Sequence, residues 1–371
     1  MRVLLAGGGS AGHVSPLLAL ADRLTADDPA TRVLALGTAS GLEARLVPGR
    51  GYELHEIPRV PLPRRPSVDV LRLPGRLRAA VRAARAAIDR VDADVVVGFG
   101  GYVAAPAYLA ARRARVPIVV HEQNSRPGFA NRLGARLTRW VAVTFPDTPL
   151  PHAVRTGLPL RPEILALDRQ ALRPSAAASL GLDPARRTLV VMGGSLGAQH
   201  LNEVLPALAP SLASRGVQVL HLCGTGKTVA APPPESVATP YVVREYLDRM
   251  ELAYAVADVV VCRAGANTVS EVTALGLPAI FVPLPVGNGE QRLNAEPVVR
   301  GGGGLLVDDA ALTPASLEAQ LLPLLDDPDR LAAMGRAAAG FGRRDADRLL
   351  ADLVRRAAAT AARRAEGTAT P

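Results

Sequence analysis

The chain has 371 residues, 49% of them hydrophobic but only 3% aromatic, and a formal net charge of +9. That length exceeds one ordinary core, so two domains built on Ala, Val and Leu are expected. The charge favours an anionic partner (nucleic acid, a phosphorylated substrate or an anionic membrane face), while the longest uncharged run, 95–111, is broken by Gly and Pro and excludes a membrane span there.

Apolar runs at 2–6, 32–36, 94–98, 117–121 and 139–144 predict strands, and runs at 188–192, 217–222, 257–262, 279–283 and 304–307 predict a second set. Helical patterns alternate with them, the mark of an α/β protein with parallel sheets and helices on both faces. The chain enters its first strand directly, without the charged region and cleavage site of a secretory signal. "VLLAGGGSAGHV" opens the first set and "TLVVMGGSLGAQ", 188–199, the second. Each reads as strand, glycine turn and helix, the start of a doubly wound Rossmann-like domain. "RTGLPLRPE", 155–163, reads as the linker. The expected organisation is an N-terminal domain over 1–157, a C-terminal domain over 158–342, a charged Ala-rich helix over 343–364 and a disordered tail over 365–371. Ligands in such sheets lie outside the carboxyl ends of the strands, so both glycine loops are expected to face an interdomain cleft.

Several motifs fail on context. Gly7, Gly9 and Gly12 fit G-x-G-x-x-G, but the second strand ends "LALGTASG", without the acid that a dinucleotide's ribose needs. "GGSLG", 193–197, fits a hydrolase nucleophile elbow, yet only His200 and His221 follow Ser195 and neither is late in the chain. "GTGKT", 224–228, has His221 where a phosphate-binding loop needs its first glycine, and reads as a solvated turn. "DAD", 92–94, falls at the amino end of a strand and predicts solvated carboxylates rather than a metal site. Cys223 and Cys262 lack metal-ligand spacing and read as buried free thiols in a reducing cytoplasm. The segment 58–90 sets arginines among Leu, Val and Ala; it reads either as a helix with a solvated charged face or as a contact with anionic lipid. Nucleic acid is disfavoured, because aromatic stacking residues are scarce.

Other stretches fall at strand ends or helix starts. "FGGYVAAP", 99–106, is a second glycine turn, and "VVHEQNSRPG", 119–128, puts His121, Glu122, Gln123 and Asn124 at a strand's carboxyl end. In "VVVCRAGANTVSEVTALGLPAIFVPLP", 259–285, the amides of Ala266, Asn267 and Thr268 open a helix, where free N–H groups and the dipole favour a diphosphate. Glu271, one turn in, can accept two hydrogen bonds from a ribose diol, and "GNGEQRLNAE", 287–296, offers Gln291 and Asn294 for sugar hydroxyls.

In this order and spacing, "GGGSAGH", "GFGGYV", "HEQN" and "CRAGANTVSE" resemble the MurG family of peptidoglycan N-acetylglucosaminyltransferases, over about residues 1–355. The resemblance implies a GT-B fold, with UDP-N-acetylglucosamine (UDP-GlcNAc) in the C-terminal domain and undecaprenyl-linked lipid I in the N-terminal one. It implies an inverting transfer that makes a β-1,4 link to N-acetylmuramic acid (MurNAc), without a metal or cofactor. It also implies a peripheral position on the cytoplasmic face of the anionic inner membrane, beside other cell-wall synthesis proteins. By the same resemblance Gly9, Ser10, Gly12, Gly100, Gly101 and Tyr102 face the acceptor, and Asn124 and the backbone of Leu247 face the donor; Ser195 and Arg161 are donor-side candidates for stabilising the charge of the leaving UDP, each with a structural alternative, for Arg161 an interdomain ion pair. His13 is the implied general base, with helix capping or phosphate binding as its other reading; the helix dipole is expected to lower its pKa and keep it neutral. Glu122 is the weaker alternative base. The second glycine loop departs from the family's G-G-S-Q-G-A-R at Leu196 and Gln199, and Glu290 stands where some members have glutamine. These departures motivate one alternative, a paralogue with another donor or acceptor in natural-product biosynthesis.

Overall fold

The computed structural model describes residues 1–60, 69–194, 196–233 and 237–367. Part of the basic segment 58–90, the candidate Ser195 and the end of the expected tail lie outside the described residues. Two compact units emerge: one comprises Met1–Arg161 together with the C-terminal segment from Arg344, the other Pro162–Arg343.

The first unit holds a parallel sheet of β1 (Arg2–Ala6), β2 (Arg32–Gly37), β3 (Glu53–Glu56), β4 (Val95–Gly98), β5 (Ile118–Glu122), β6 (Trp140–Val143) and β7 (Ala153–Arg155), ordered β3-β2-β1-β4-β5-β6-β7. The second holds β8 (Thr188–Met192), β9 (Gln218–Leu222), β10 (Tyr241–Arg244), β11 (Val259–Cys262), β12 (Ala279–Phe281) and β13 (Gly304–Leu306), ordered β10-β9-β8-β11-β12-β13. In each sheet the first strand pairs on both sides, as in Val3 with Val33 and with Val95. The order therefore reverses beside β1 and beside β8, and a doubly wound sheet opens its ligand crevice at such a point.

Central strands covered on both faces need uninterrupted apolar runs. β4 and β11 are such runs, and β8 and β9 are buried along their whole length as well, with Thr188, Gln218 and His221 as buried polar positions. The strands that the apolar runs did not predict, β3, β7 and β10, all lie at sheet edges and none is buried along its length.

The C-terminal helix, Ala346–Gly367, starts and ends three residues later than expected and packs against the first unit, on the helix Ala11–Asp27. Leu350, Leu353 and Val354 join a core with Leu17, Leu20, Val3 and Leu5. Asp27 bonds both Arg23 of its own helix and Arg355 of the C-terminal one. On the sheet's other face lie the helices Asp69–Val91, Gly101–Ala114 and Phe129–Ala135, around Tyr108, Val96 and Val120.

Cys223 and Cys262 are buried free thiols. The "DAD" carboxylates pair with Arg2: Asp94 accepts from its backbone N–H at 2.7 Å, and Asp92 from its guanidinium.

Candidate active site

The first glycine loop leaves β1 and turns into the helix Ala11–Asp27. His13 stands in that helix's first turn. Its Nδ1 lies 3.1 Å from the Gly8 carbonyl oxygen and 3.0 Å from Ser10 Oγ. A carbonyl can only accept, so Nδ1 carries the proton and Nε2 keeps the lone pair. Nε2 faces the second glycine turn, 3.2 Å from where a Cβ on Gly100 would lie. The imidazole pKa is lowered, as expected, but burial is the leading cause. Ser10 spends its hydroxyl on His13 and makes no side-chain cap of the helix.

Gly100 and Gly101 both have positive φ, at 92° and 74°. A Cβ on Gly101 would come within 2.5 Å of the Gly8 oxygen, so only glycine lets the second turn pack on the first loop. Tyr102, beside them, lies under Arg59 at 5.5 Å. Together with Gly8, Gly9 and Glu43 these two line a cavity of about 70 Å³. The implied acceptor residues Gly9, Ser10, Gly12, Gly100, Gly101 and Tyr102 therefore lie in the two loops beside His13, with the Gly9 amide already engaged. That amide donates to Glu43 Oε2 at 2.9 Å and has no bond left for a phosphate.

Glu43 was not legible as part of this site. It opens the short helix Glu43–Gly49, is fully buried, and also accepts from the Thr38 amide and hydroxyl at 3.0 and 2.8 Å. A Cβ on Gly8, Gly37 or Gly41 would strike its side chain. The one available signal was a lone acid among glycines just past the second strand, in "GTASGLE".

Glu122 is corrected from alternative base to loop anchor. It is 2% exposed. Oε1 accepts from the Asn124 amide, and Oε2 from the Gly128 amide and Asn131 Nδ2, each at 3.0 Å. Burial pushes its carboxyl up in pKa. Asn131, in turn, accepts from Tyr108 at 2.8 Å. His121 is buried, bonds the Gly157 oxygen at 2.9 Å, and is held neutral by burial, with a pKa of about 4. Asn124 remains half-exposed at the loop's start.

In the second unit Gly197, with φ 72°, packs on the backbone of Cys223 and Gly224 after β9, leaving Leu196 83% exposed. The helix Ala266–Ala274 starts from Gly265 with no side-chain cap. Asn267 and Thr268 are half-exposed there, and Ala266 is buried. Glu271 accepts from the Tyr254 hydroxyl at 2.6 Å through Oε2. Gln291 Oε1 accepts from the Ala264 and Leu284 amides at 3.1 and 3.0 Å, so only its NH₂ is left for a ligand. Asn294 is corrected: it is fully buried, its Nδ2 donates to the Ala264 oxygen at 3.2 Å, and it shapes the loop rather than touching a sugar. Leu247 is half-buried in the loop after β10, and Arg161 is half-buried at the end of the first unit's leading segment.

The glycosyltransferase family 28 N-terminal domain matches residues 3–143, and the family 28 C-terminal domain matches residues 188–350. A Streptomyces coelicolor protein is 57% identical over 98% of this chain and 100% of its own length. A Nocardioides protein is 59% identical over 95% of this chain and 97% of its own. Both are named UDP-N-acetylglucosamine--N-acetylmuramyl-(pentapeptide) pyrophosphoryl-undecaprenol N-acetylglucosamine transferase. Among solved structures, Acinetobacter baumannii MurG superposes with a TM-score of 0.75 at 29% identity, covering 96% of this chain and 99% of that one. With family models over most of its length, full-length relatives above half identity and a two-sheet GT-B architecture, the chain belongs to glycosyltransferase family 28, within its MurG family.

Proposed function

We propose that this chain moves GlcNAc from UDP-GlcNAc to the C4 hydroxyl of MurNAc in undecaprenyl-linked lipid I, with inversion, to give lipid II. The observation that carries the reading is His13, with Nδ1 tied to the Gly8 carbonyl and the Nε2 lone pair turned towards the Gly100 turn.

In an inverting transfer the acceptor oxygen attacks the anomeric carbon as the bond to the diphosphate breaks. His13 Nε2 takes the proton from the attacking hydroxyl. The negative charge passes to UDP, which the amino-terminal turn of Ala266–Ala274 receives through backbone N–H groups and the helix dipole. That provision for the leaving group supports a reaction without a metal ion. Glu271, oriented by Tyr254, holds the ribose diol, and the Gln291 NH₂ meets a sugar oxygen. Asn124, Arg161, Ser195 and the Leu247 backbone complete the donor side, and Ser10, Gly12 and the Gly100–Tyr102 turn complete the acceptor side.

The helices Asp69–Val91, Gly101–Ala114 and Phe129–Ala135 pack in a row. They expose Arg78, Arg82, Arg112, Arg113 and Arg132; Phe129 is 65% exposed at the start of the last of them, and Arg136 is exposed just past its end. A row of exposed arginines suits the anionic cytoplasmic face of a membrane, and this supports a peripheral location next to the lipid-linked acceptor.

The reaction is tested by product formation from a lipid I analogue and a panel of UDP-sugars. Lipid II-type product from UDP-GlcNAc alone is expected. Preference for another sugar would make Leu196 and Gln199 specificity positions and overturn the donor assignment.

A further inference from the structure

We propose that Glu43 is a positioning residue for the transfer: through the Gly8–Gly9 peptide its carboxylate fixes the tautomer, direction and proton affinity of His13. The proposal rests on the reading of His13 as the base.

One peptide group joins the two side chains. The Gly8 carbonyl and the Gly9 amide belong to the same planar unit. On one side its N–H donates to Glu43 Oε2 at 2.9 Å; on the other its C=O accepts from His13 Nδ1 at 3.1 Å. Carboxylate, peptide and imidazole therefore form one continuous chain of hydrogen bonds. The carboxylate pulls on the N–H, which makes the carbonyl oxygen a better acceptor, and hydrogen bonds in series strengthen one another. An Asp–His pair in a hydrolase achieves the same result by direct contact, holding the tautomer that leaves the working nitrogen bare. Here a peptide group stands between the two side chains.

The surroundings favour this arrangement over a simple loop tie. Glu43 is fully buried, and Thr38 anchors its other oxygen through two bonds. The glycines at 8, 37 and 41 admit the carboxylate where any Cβ would clash. Gly101 packs on the Gly8 oxygen and limits rotation of the peptide. The groups facing His13 are Gly8 and Ser10 from its loop, Glu43 behind that loop, and Gly100 and Gly101 in front. Asn131 lies beyond Gly100 with Glu122 behind it, and Arg59 covers Tyr102 at the rim of the cavity. Burial, the largest effect, lowers the proton affinity of His13; the bond to the Gly8 oxygen and, after it, the Glu43 charge raise it.

The first test is ¹⁵N NMR of the substrate-free full chain, with the His13 signals identified by their loss in His13→Gln. Neutral His13 is expected with Nδ1 protonated and Nε2 bare; an Nε2–H tautomer would overturn the proposal. In Glu43→Gln the His13 titration midpoint is expected to move to lower pH, and the acid limb of kcat to move with it. The same variant is expected to lose about 10–100-fold in kcat with the donor KM unchanged. Glu43→Asp, which keeps the charge, is expected to restore the limb in part. An unmoved midpoint in folded Glu43→Gln refutes the relay. If that variant does not fold, Glu43→Asp decides: its shorter side chain draws the carboxylate back from the Gly9 amide, and a His13 midpoint and acid limb both unmoved from wild type would refute the relay. If wild type shows the expected titration but no transfer to a lipid I analogue, the relay stands and the base assignment falls.

Discussion

Glu43 and Glu122 are both buried carboxylates near the carboxyl edge of one sheet, yet their environments drive them in opposite directions. For Glu43, burial raises the pKa, but bonds from the Gly9 amide, its own amide and Thr38 outweigh it and hold the carboxyl below its usual range. For Glu122, burial wins over the bonds from Asn124, Asn131 and Gly128. Glu122→Gln leaves a buried donor facing other donors. It is expected to cost about 1–3 kcal/mol of stability in denaturant melts while leaving the acid limb of kcat in place; a displaced limb would return Glu122 to the chemistry. The glycine turns, His13 and the loop around Glu122 were legible in the sequence because each is a local pattern. Glu43, Asn131 and Tyr108 were not, because their parts in the site arise from contacts between separate segments. For the same reason the sequence did not show that Glu43 already holds the Gly9 amide, or that Asn294 turns inward on its helix.

At the scale of elements, the buried strands and the apolar edge strand β13 could be read, and the edge strands β3, β7 and β10 could not. β3 carries "ELHE" and β7 "AVR", and neither has the burial that enforces a continuous apolar run. The C-terminal helix was expected, but its partner was not, since an Ala-rich amphipathic face does not name the surface it covers. Its clasp on the helix Ala11–Asp27 has a pH signature. Hydrogen bonding from Arg23, with Arg355 assisting, holds Asp27 at a pKa of about 2, below its ordinary 3.8. A depressed carboxylate stabilises the fold fully above its unfolded pKa and loses that contribution as pH falls through the folded one. Wild type is therefore expected to lose stability between about pH 5 and pH 2, and Asp27→Asn to show a shallower loss in acid titrations followed by circular dichroism. An identical acid profile for the two proteins would show that the clasp contributes nothing.

Over the whole molecule, the net charge of +9 pointed to an anionic partner without saying where. Exposed arginines on the helix row of the first unit carry part of that charge. Reversing Arg78, Arg82 and Arg132 to Glu is expected to release the protein from anionic vesicles in co-sedimentation, with the loss greatest at low salt. Unchanged binding would return the row to a solvated face. The two-unit plan was legible because each unit opens with its own strand and glycine turn; the return of the chain to the first unit through its last helix was not.

The most direct test is the single-turnover rate of GlcNAc transfer to a lipid I analogue at saturating UDP-GlcNAc, comparing wild type with His13→Gln. A loss of about 10²–10⁴-fold, with UDP affinity unchanged, is the predicted result. Near-normal turnover in the variant would contradict the assignment of His13 as the base and, with it, the mechanism built around the first glycine loop.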